Sequence, residues 1–206
     1  MDLYTFNSYE DYVNDQVALT RRKIRVPRKF FNSQNSVSAI KQYHVENRLG
    51  DVRWGACHGV RLGEELDCFQ TEFGGNWFGT EITPDITDKA DADKRIICWD
   101  FQHVKNEWIG ALDMVYSNSL DHARDPWVAL KAWLACLSSD GRLYVEWCPW
   151  HNKLGRFWKA DCFAADDWEY YKLLSKVGKV VDVLSMLESS QGKRKINYTK
   201  LVFVVQ

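Results

Sequence analysis

The chain is expected to be α/β: a doubly wound, mostly parallel seven-stranded sheet closed by an antiparallel C-terminal strand. Three observations predict this. From residue 51 onward, short apolar runs at 51–55, 76–81, 95–99, 111–117 and 141–147 alternate with helical stretches at 60–70, 126–137 and 165–177. Apolar strands interleaved with helices argue for a parallel sheet covered on both faces. The tail then breaks the rhythm, because the β-rich runs 180–187 and 198–205 are joined only by the polar segment 188–195. That connection is too short for a crossover helix, so the two strands run antiparallel.

Ahead of the sheet lies a helical preface. Ser8 followed by Asp11 resembles a capping box, and Tyr9, Tyr12, Val13 and Val17 share one face of a helix to about Thr20. The basic run 21–29 reads as a helix end and solvated linker, where cations suit the dipole. Ser36 is expected to cap a second helix to about Asn47, with Val37, Ile40 and His44 on one face. Residues 1–49 are thus expected to form a helical extension packed on a single domain of residues 50–206.

Composition narrows the function classes. At 206 residues the chain can bury a core without disulfide or metal staples, and a net charge of −1 provides no global field towards nucleic acid or membrane. Neither a span-length apolar run nor a signal-peptide pattern is present, and a cytoplasmic location is expected. The six cysteines are scattered without a CxxC pair and read as reduced thiols. Cys148 and His151, three residues apart, lack a second ligand pair, so no metal site is expected.

The most informative pairing is 51–59, Asp-Val-Arg-Trp-Gly-Ala-Cys-His-Gly, with Glu81. Read as a strand, a small-residue turn and a helix start, the first run lets backbone N–H groups approach a ligand closely. An acid at the tip of the next strand is placed to accept from ribose hydroxyls. The same residues also read as an ordinary βα turn with an exposed carboxylate.

Over residues 50–147 the motifs resemble those of the class I S-adenosylmethionine-dependent methyltransferases, which share the antiparallel C-terminal strand. The glycine turn is matched by Gly55, Ala56, Cys57, His58 and Gly59, and the acid of strand two by Glu81, with Ile82 beside it. Asp100 and Phe101 match the acid after strand three, and Ser117-Asn118-Ser119-Leu120-Asp121-His122 matches the strand-four motif. Ser139-Asp140-Gly141 looks like the turn before strand five. The resemblance implies a Rossmann-like methyltransferase fold, S-adenosylmethionine as cofactor, and cofactor contacts from these residues, Ser117 and Asn118 included. Two positions depart from the pattern: Arg53 replaces the usual strand-one acid, and Cys57 the middle glycine. Arg53, His58 and Arg61 are candidates to meet the cofactor carboxylate; the other readings are weakened cofactor binding at Arg53, and capping or shielding of the turn by His58 and Arg61.

The sulfonium is already a strong electrophile, so the protein has mainly to align a nucleophile and remove a proton. The candidates beyond strand four are His122 as general base, Asp121 as its partner and Asn118 as a positioner. Asp121 also reads as a cap of the following helix. The loop 147–159 places three tryptophans beside cations and suits sugars or anionic groups, and reads equally as aromatic lid packing over the sheet edge. The expected function is methyl transfer to a small molecule or glycan at oxygen. The alternatives are a non-catalytic S-adenosylmethionine-binding protein and a nucleic-acid-directed methyltransferase or binder using residues 21–29. No membrane or nucleic-acid partner is expected, and no oligomeric state follows from the sequence.

Overall fold

A computed structural model describes residues 1–24, 33–87, 95–152, 161–189 and 196–206. The elements in order are β1 (Asp2–Leu3), α1 (Tyr9–Ile24), α2 (Ser33–Glu46), β2 (Trp54–His58), α3 (Glu64–Phe73), β3 (Asn76–Glu81), α4 (Pro84–Thr87) and β4 (Ile96–Cys98). They continue as β5 (Leu112–Ser117), α5 (Pro126–Cys136), β6 (Leu137–Trp147), β7 (Phe163–Ala164), α6 (Asp167–Val177), β8 (Val180–Ser189) and β9 (Asn197–Val205). Seven strands form one sheet in the order β4-β3-β2-β5-β6-β9-β8. Strands β4 to β6 pair parallel, whereas β9 runs antiparallel to both β6 and β8. The expected antiparallel C-terminal strand is therefore present.

The sheet separates two apolar layers. On one side Trp133, Leu130, Tyr170 and Leu174 of α5 and α6 pack on Val115, Leu143, Val145 and Phe203. On the other, Val37 and Ile40 of α2 and Phe69 of α3 cover Cys57, Met114, Tyr116, Tyr144 and Val202. One polar cluster pins α2 to that second face. Glu146 accepts from Ser36 Oγ at 2.5 Å and Tyr116 Oη at 2.8 Å, and Lys200 Nζ reaches Glu146 at 3.3 Å and Glu188 at 3.6 Å. Ser36 is thus a buried anchor within α2 and not its cap. Ser8 does cap α1, its Oγ accepting from the Asp11 N–H at 3.0 Å.

The largest difference from the sequence reading lies at the first parallel strand. It spans Trp54–His58, about three residues later than 51–55, so Gly55, Ala56 and Cys57 lie within the strand and not in a turn. Small residues are weak strand formers, which hides this element from propensity. Packing makes them fit, because a Cβ on Gly55 would stand 2.4 Å from the Trp77 ring. The strand start is held by Asp113, whose Oδ2 accepts from the N–H groups of Arg53 and Trp54 at 2.8 and 3.1 Å. The turn follows at Gly59, and α3 begins only at Glu64. Gly59, Arg61 and Gly63 between them all have positive φ. Ser139 and Asp140, expected in a turn, fall within β6, where the register with β5 shifts between Leu112 and Met114.

Candidate functional site

The carboxyl ends of β2, β3 and β5 converge on a loop beginning at Gly59. Its backbone is tied to both neighbouring strands. The N–H groups of Gly59 and Val60 donate to the Thr80 carbonyl at 2.9 and 3.1 Å, and Ser117 Oγ donates to the His58 carbonyl at 3.0 Å. Ser119 Oγ lies within hydrogen-bonding reach of the Gly59 carbonyl at 3.3 Å and Asn118 Oδ1 at 2.9 Å. A Cβ at Gly59, where φ is +78°, would stand 2.6 Å from Ser119 Cβ, so this turn needs its glycine.

Glu81 closes β3 beside this loop. Its Oε2 accepts from the Arg61 N–H and its Oε1 from the Thr83 N–H, both at 3.0 Å. Each oxygen retains lone-pair capacity. Asp100 follows β4. Its carboxylate accepts from Tyr9 Oη at 2.8 Å and from the Gln102 N–H at 2.9 Å.

These residues share one cavity, lined by Gly59, Arg61, Glu81, Ile82, Asp100, Phe101, Ser119 and His122, and roofed by Tyr12, Gln16, Leu19, Thr20 and Lys23 of α1. Of the expected cofactor residues, Gly59, Glu81, Ile82, Asp100 and Phe101 are on its wall. Gly55, Ala56, Cys57, His58, Ser117 and Asn118 are not. The three-residue strand shift explains the first four, and Ser117 and Asn118 stand behind the loop they brace. Arg53 sits at the opposite end of β2, 3.8 Å from Asp113, where it cannot meet a ligand in this cavity. His58 is buried, stacked on Trp133 at 5.3 Å and bonded through Nδ1 to Thr80 Oγ1 at 2.9 Å. Burial pushes its pKa down to about 3.

The roof was invisible to the apolar-face reading of α1. The signal was that its inward face, Tyr12, Gln16, Leu19, Thr20 and Lys23, is polar along half its length.

At the far end of the cavity, Asp121 Oδ2 lies 3.9 Å from His122 Nε2 and 4.0 Å from His151 Nε2. Asp121 does not cap the next helix; Asp125 does, accepting from the N–H groups of Trp127 and Val128. Lys23 Nζ is 3.3 Å from His122 Nε2. An ammonium only donates, so Nε2 accepts and the neutral ring carries its proton on Nδ1. Burial lowers the His122 pKa to about 3, with Lys23 and Arg61 adding to the effect against Asp121. The expected near-neutral histidine base is therefore a neutral imidazole already engaged by Lys23. Burial opposes the charge on His151, but Asp121, Cys148 and Asp161 hold its pKa up at about 10. Donor atoms of Asp121, His122 and Asp161 lie within 4.8 Å of one another. Lys23 and His151 already bring positive charge to those carboxylates, so a cation would compete with side chains in place.

Residues 153–159 of the tryptophan-rich loop, and residues 25–29 of the basic run, lie outside the described residues. Within the described part Trp150 is exposed and packs edge-on against Tyr198 at 5.8 Å. All six cysteines are free, and no described helix is long and apolar enough to cross a membrane.

No family model matches this sequence, and no curated protein is similar to it. Solved structures are. An S-adenosylmethionine-dependent methyltransferase from Clostridium acetobutylicum superposes with a TM-score of 0.65 at 13% identity, over 94% of this chain and 98% of that one. N-methyltransferase NodS from Bradyrhizobium japonicum, in complex with S-adenosylhomocysteine, gives 0.65 at 13% identity over 93% and 98%. The 1,6-didemethyltoxoflavin-N1-methyltransferase of Burkholderia thailandensis gives 0.63 at 13% identity over 100% and 93%. The sheet order, the antiparallel β9 and these superpositions agree that the chain has the Rossmann-like fold of the class I S-adenosylmethionine-dependent methyltransferases.

Proposed function

We propose that the protein is an S-adenosylmethionine-dependent methyltransferase acting on a small molecule or glycan, at oxygen. The observation that carries this reading is the convergence of Gly59, Glu81 and Asp100 on one cavity at the carboxyl edge of a parallel sheet, where ligands of open α/β folds bind. When bound, the cofactor supplies an activated methyl group, and the protein's task is alignment and exclusion of water. Glu81, oriented by two backbone N–H groups, would offer its remaining lone pairs to the ribose hydroxyls. Asp100 and Phe101 would border the adenine, with Tyr9 and Gln102 fixing the Asp100 carboxylate. Tyr12 and Leu19 on α1 exclude water from above. His122 is held neutral by burial and accepts from Lys23 at Nε2, so it would serve as general base only once that lone pair is released. Trp150 and Tyr198 at the end of β6 offer aromatic faces that suit a sugar or planar acceptor.

Calorimetry with S-adenosylmethionine and S-adenosylhomocysteine tests the cofactor, and a folded chain that binds neither overturns the reading. Release of S-adenosylhomocysteine across sugars, nucleotide sugars, phenols and amines then tests the acceptor. Amines belong in the panel because NodS and the toxoflavin enzyme are N-methyltransferases by name. The engagement of His122 Nε2 by Lys23 at 3.3 Å favours one second reading, a non-catalytic S-adenosylmethionine-binding protein, which tight binding without turnover on any acceptor would support. The nucleic-acid reading loses two described cations of the basic run, since Arg21 is bonded to Asp85 at 2.7 Å and Lys23 faces the cavity.

A further inference from the structure

The cavity is electrically two-ended. Glu81 and Asp100 line it on the β3–β4 side, whereas Arg61 and Lys23 line it towards His122. A ligand that is a nucleoside at one end and an amino acid at the other carries its carboxylate away from the ribose. Its receptor therefore belongs at the cationic end.

Two of the three groups that sequence suggested for that receptor are removed by the structure, the first being Arg53, which lies at the opposite end of β2 beside Asp113. His58 is buried against Trp133 and bonded to Thr80. The start of α3 already holds Glu64 and Asp67 in its first turn, so its dipole is met by the protein's own acids. Arg61 remains, and a second cation arrives from an element far away in sequence. Lys23 lies in the last turn of α1, where Tyr12, Gln16, Leu19, Thr20 and Lys23 share the face over the cavity. Its ammonium is held at 3.3 Å from His122 Nε2, which uses one of three donors and leaves two.

We propose that Lys23, together with Arg61, receives the α-carboxylate of the cofactor's amino-acid half, so that the site selects an aminoacyl-bearing nucleoside over a truncated one. This assignment rests on the cofactor reading above. The groups facing Lys23 are Arg61 from the loop after β2, Asp121 and His122 from the turn after β5, Asp161 ahead of β7, and Arg22 on its own helix. His151 also faces Asp121 and Asp161, so those carboxylates do not depend on Lys23 alone. Burial, with Arg61 next, lowers the Lys23 pKa to about 8. An anion bound beside it raises that value again, so carboxylate binding takes up a proton near pH 8.

The test needs no acceptor. Calorimetry on the full chain compares S-adenosylhomocysteine with 5′-methylthioadenosine, which lacks the carboxylate, in buffers of different ionisation enthalpy at pH 6.5 and 8. For the native chain, S-adenosylhomocysteine is expected to bind more tightly and to take up a proton at pH 8 but not at 6.5. Lys23→Met, which keeps the aliphatic stem, should lose roughly 10- to 100-fold in S-adenosylhomocysteine affinity. It should also lose the proton uptake and leave methylthioadenosine binding unchanged. Lys23→Arg, keeping the charge, should retain most of the discrimination, and thermal melts of both variants confirm the fold. If both ligands bind but Lys23→Met preserves their affinity ratio and the proton uptake, Lys23 is not the receptor. If neither ligand binds the folded native chain, the cofactor reading falls and this assignment falls with it.

Discussion

The backbone N–H of Arg61 donates to Glu81 Oε2 at 3.0 Å, so the strand-three carboxylate also fastens the loop that leaves strand β2. With Thr83 on the other oxygen, the acid is oriented before any ligand arrives. Pre-orientation of this kind lowers the ordering cost of binding.

Replacing Glu81 by Ala is expected to cost about 1.5–3 kcal/mol of S-adenosylhomocysteine affinity, the worth of hydrogen bonds to a charged group. It also strips an acceptor from two backbone N–H groups, so the melting temperature should fall. Calorimetry with a parallel thermal melt checks both. Unchanged affinity would take Glu81 out of the site.

Two glycine variants separate folding from binding. Gly55→Val places Cβ 2.4 Å from the Trp77 ring and should damage the fold itself, not only the cavity. Gly59→Ala strains a position with φ +78° and presses on Ser119, so it should weaken cofactor binding more than it lowers stability. Denaturant titrations paired with calorimetry distinguish the two. The expectation fails if Gly55→Val is as stable as the native chain.

Acid should unfold this protein through its buried neutral histidines. The pKa of His58 is about 3 in the fold and near 6.5 when unfolded. Between those values the unfolded state binds more protons. Its contribution to stability is therefore complete above pH 6.5 and is lost as pH falls towards 3, by up to about 1.4 kcal/mol per pH unit. His122 shifts in the same direction, whereas His151, raised to about 10, adds stability that is complete below 6.5 and fades as pH rises to 10. His58→Gln should flatten the acid limb of stability measured by urea titration between pH 4 and 7. An unchanged slope would show that His58 is not protonated on unfolding.

The Lys200 cluster offers a test remote from the cavity. Lys200 and Glu146 are each 1% exposed, so Lys200→Met leaves buried carboxylates without their cation. Losing one partner of such a pair costs about 3–5 kcal/mol. A large drop in the urea midpoint with normal S-adenosylhomocysteine affinity is expected. A midpoint within experimental error of the native value would mean that Glu146 is content with Ser36 and Tyr116 alone.

The order of strands and helices, the hairpin-like β8–β9 pair and the acid at the tip of β3 were all legible from residue patterns. Each depends on local signals: apolar periodicity, a connection too short for a helix, a charged residue ending an apolar run. Asp100 and Phe101 came instead from the resemblance to the methyltransferase motifs, which place an acid just after the third strand. The bounds of β2 were not, because Gly55, Ala56 and Cys57 are strand residues only by virtue of Trp77 and the adjoining strands packed against them. That shift moved Gly55 and His58 off the cavity wall and Arg53 to the wrong end of the sheet. The state of His122 was equally out of reach, since its pKa is governed by burial and by Lys23, 99 residues away in the chain. Local sequence determined which elements form and where the acids stand. Which side chains face one another across the cavity was decided by the docking of α1 over the sheet, a long-range event that burial and charge control and no short window of sequence encodes.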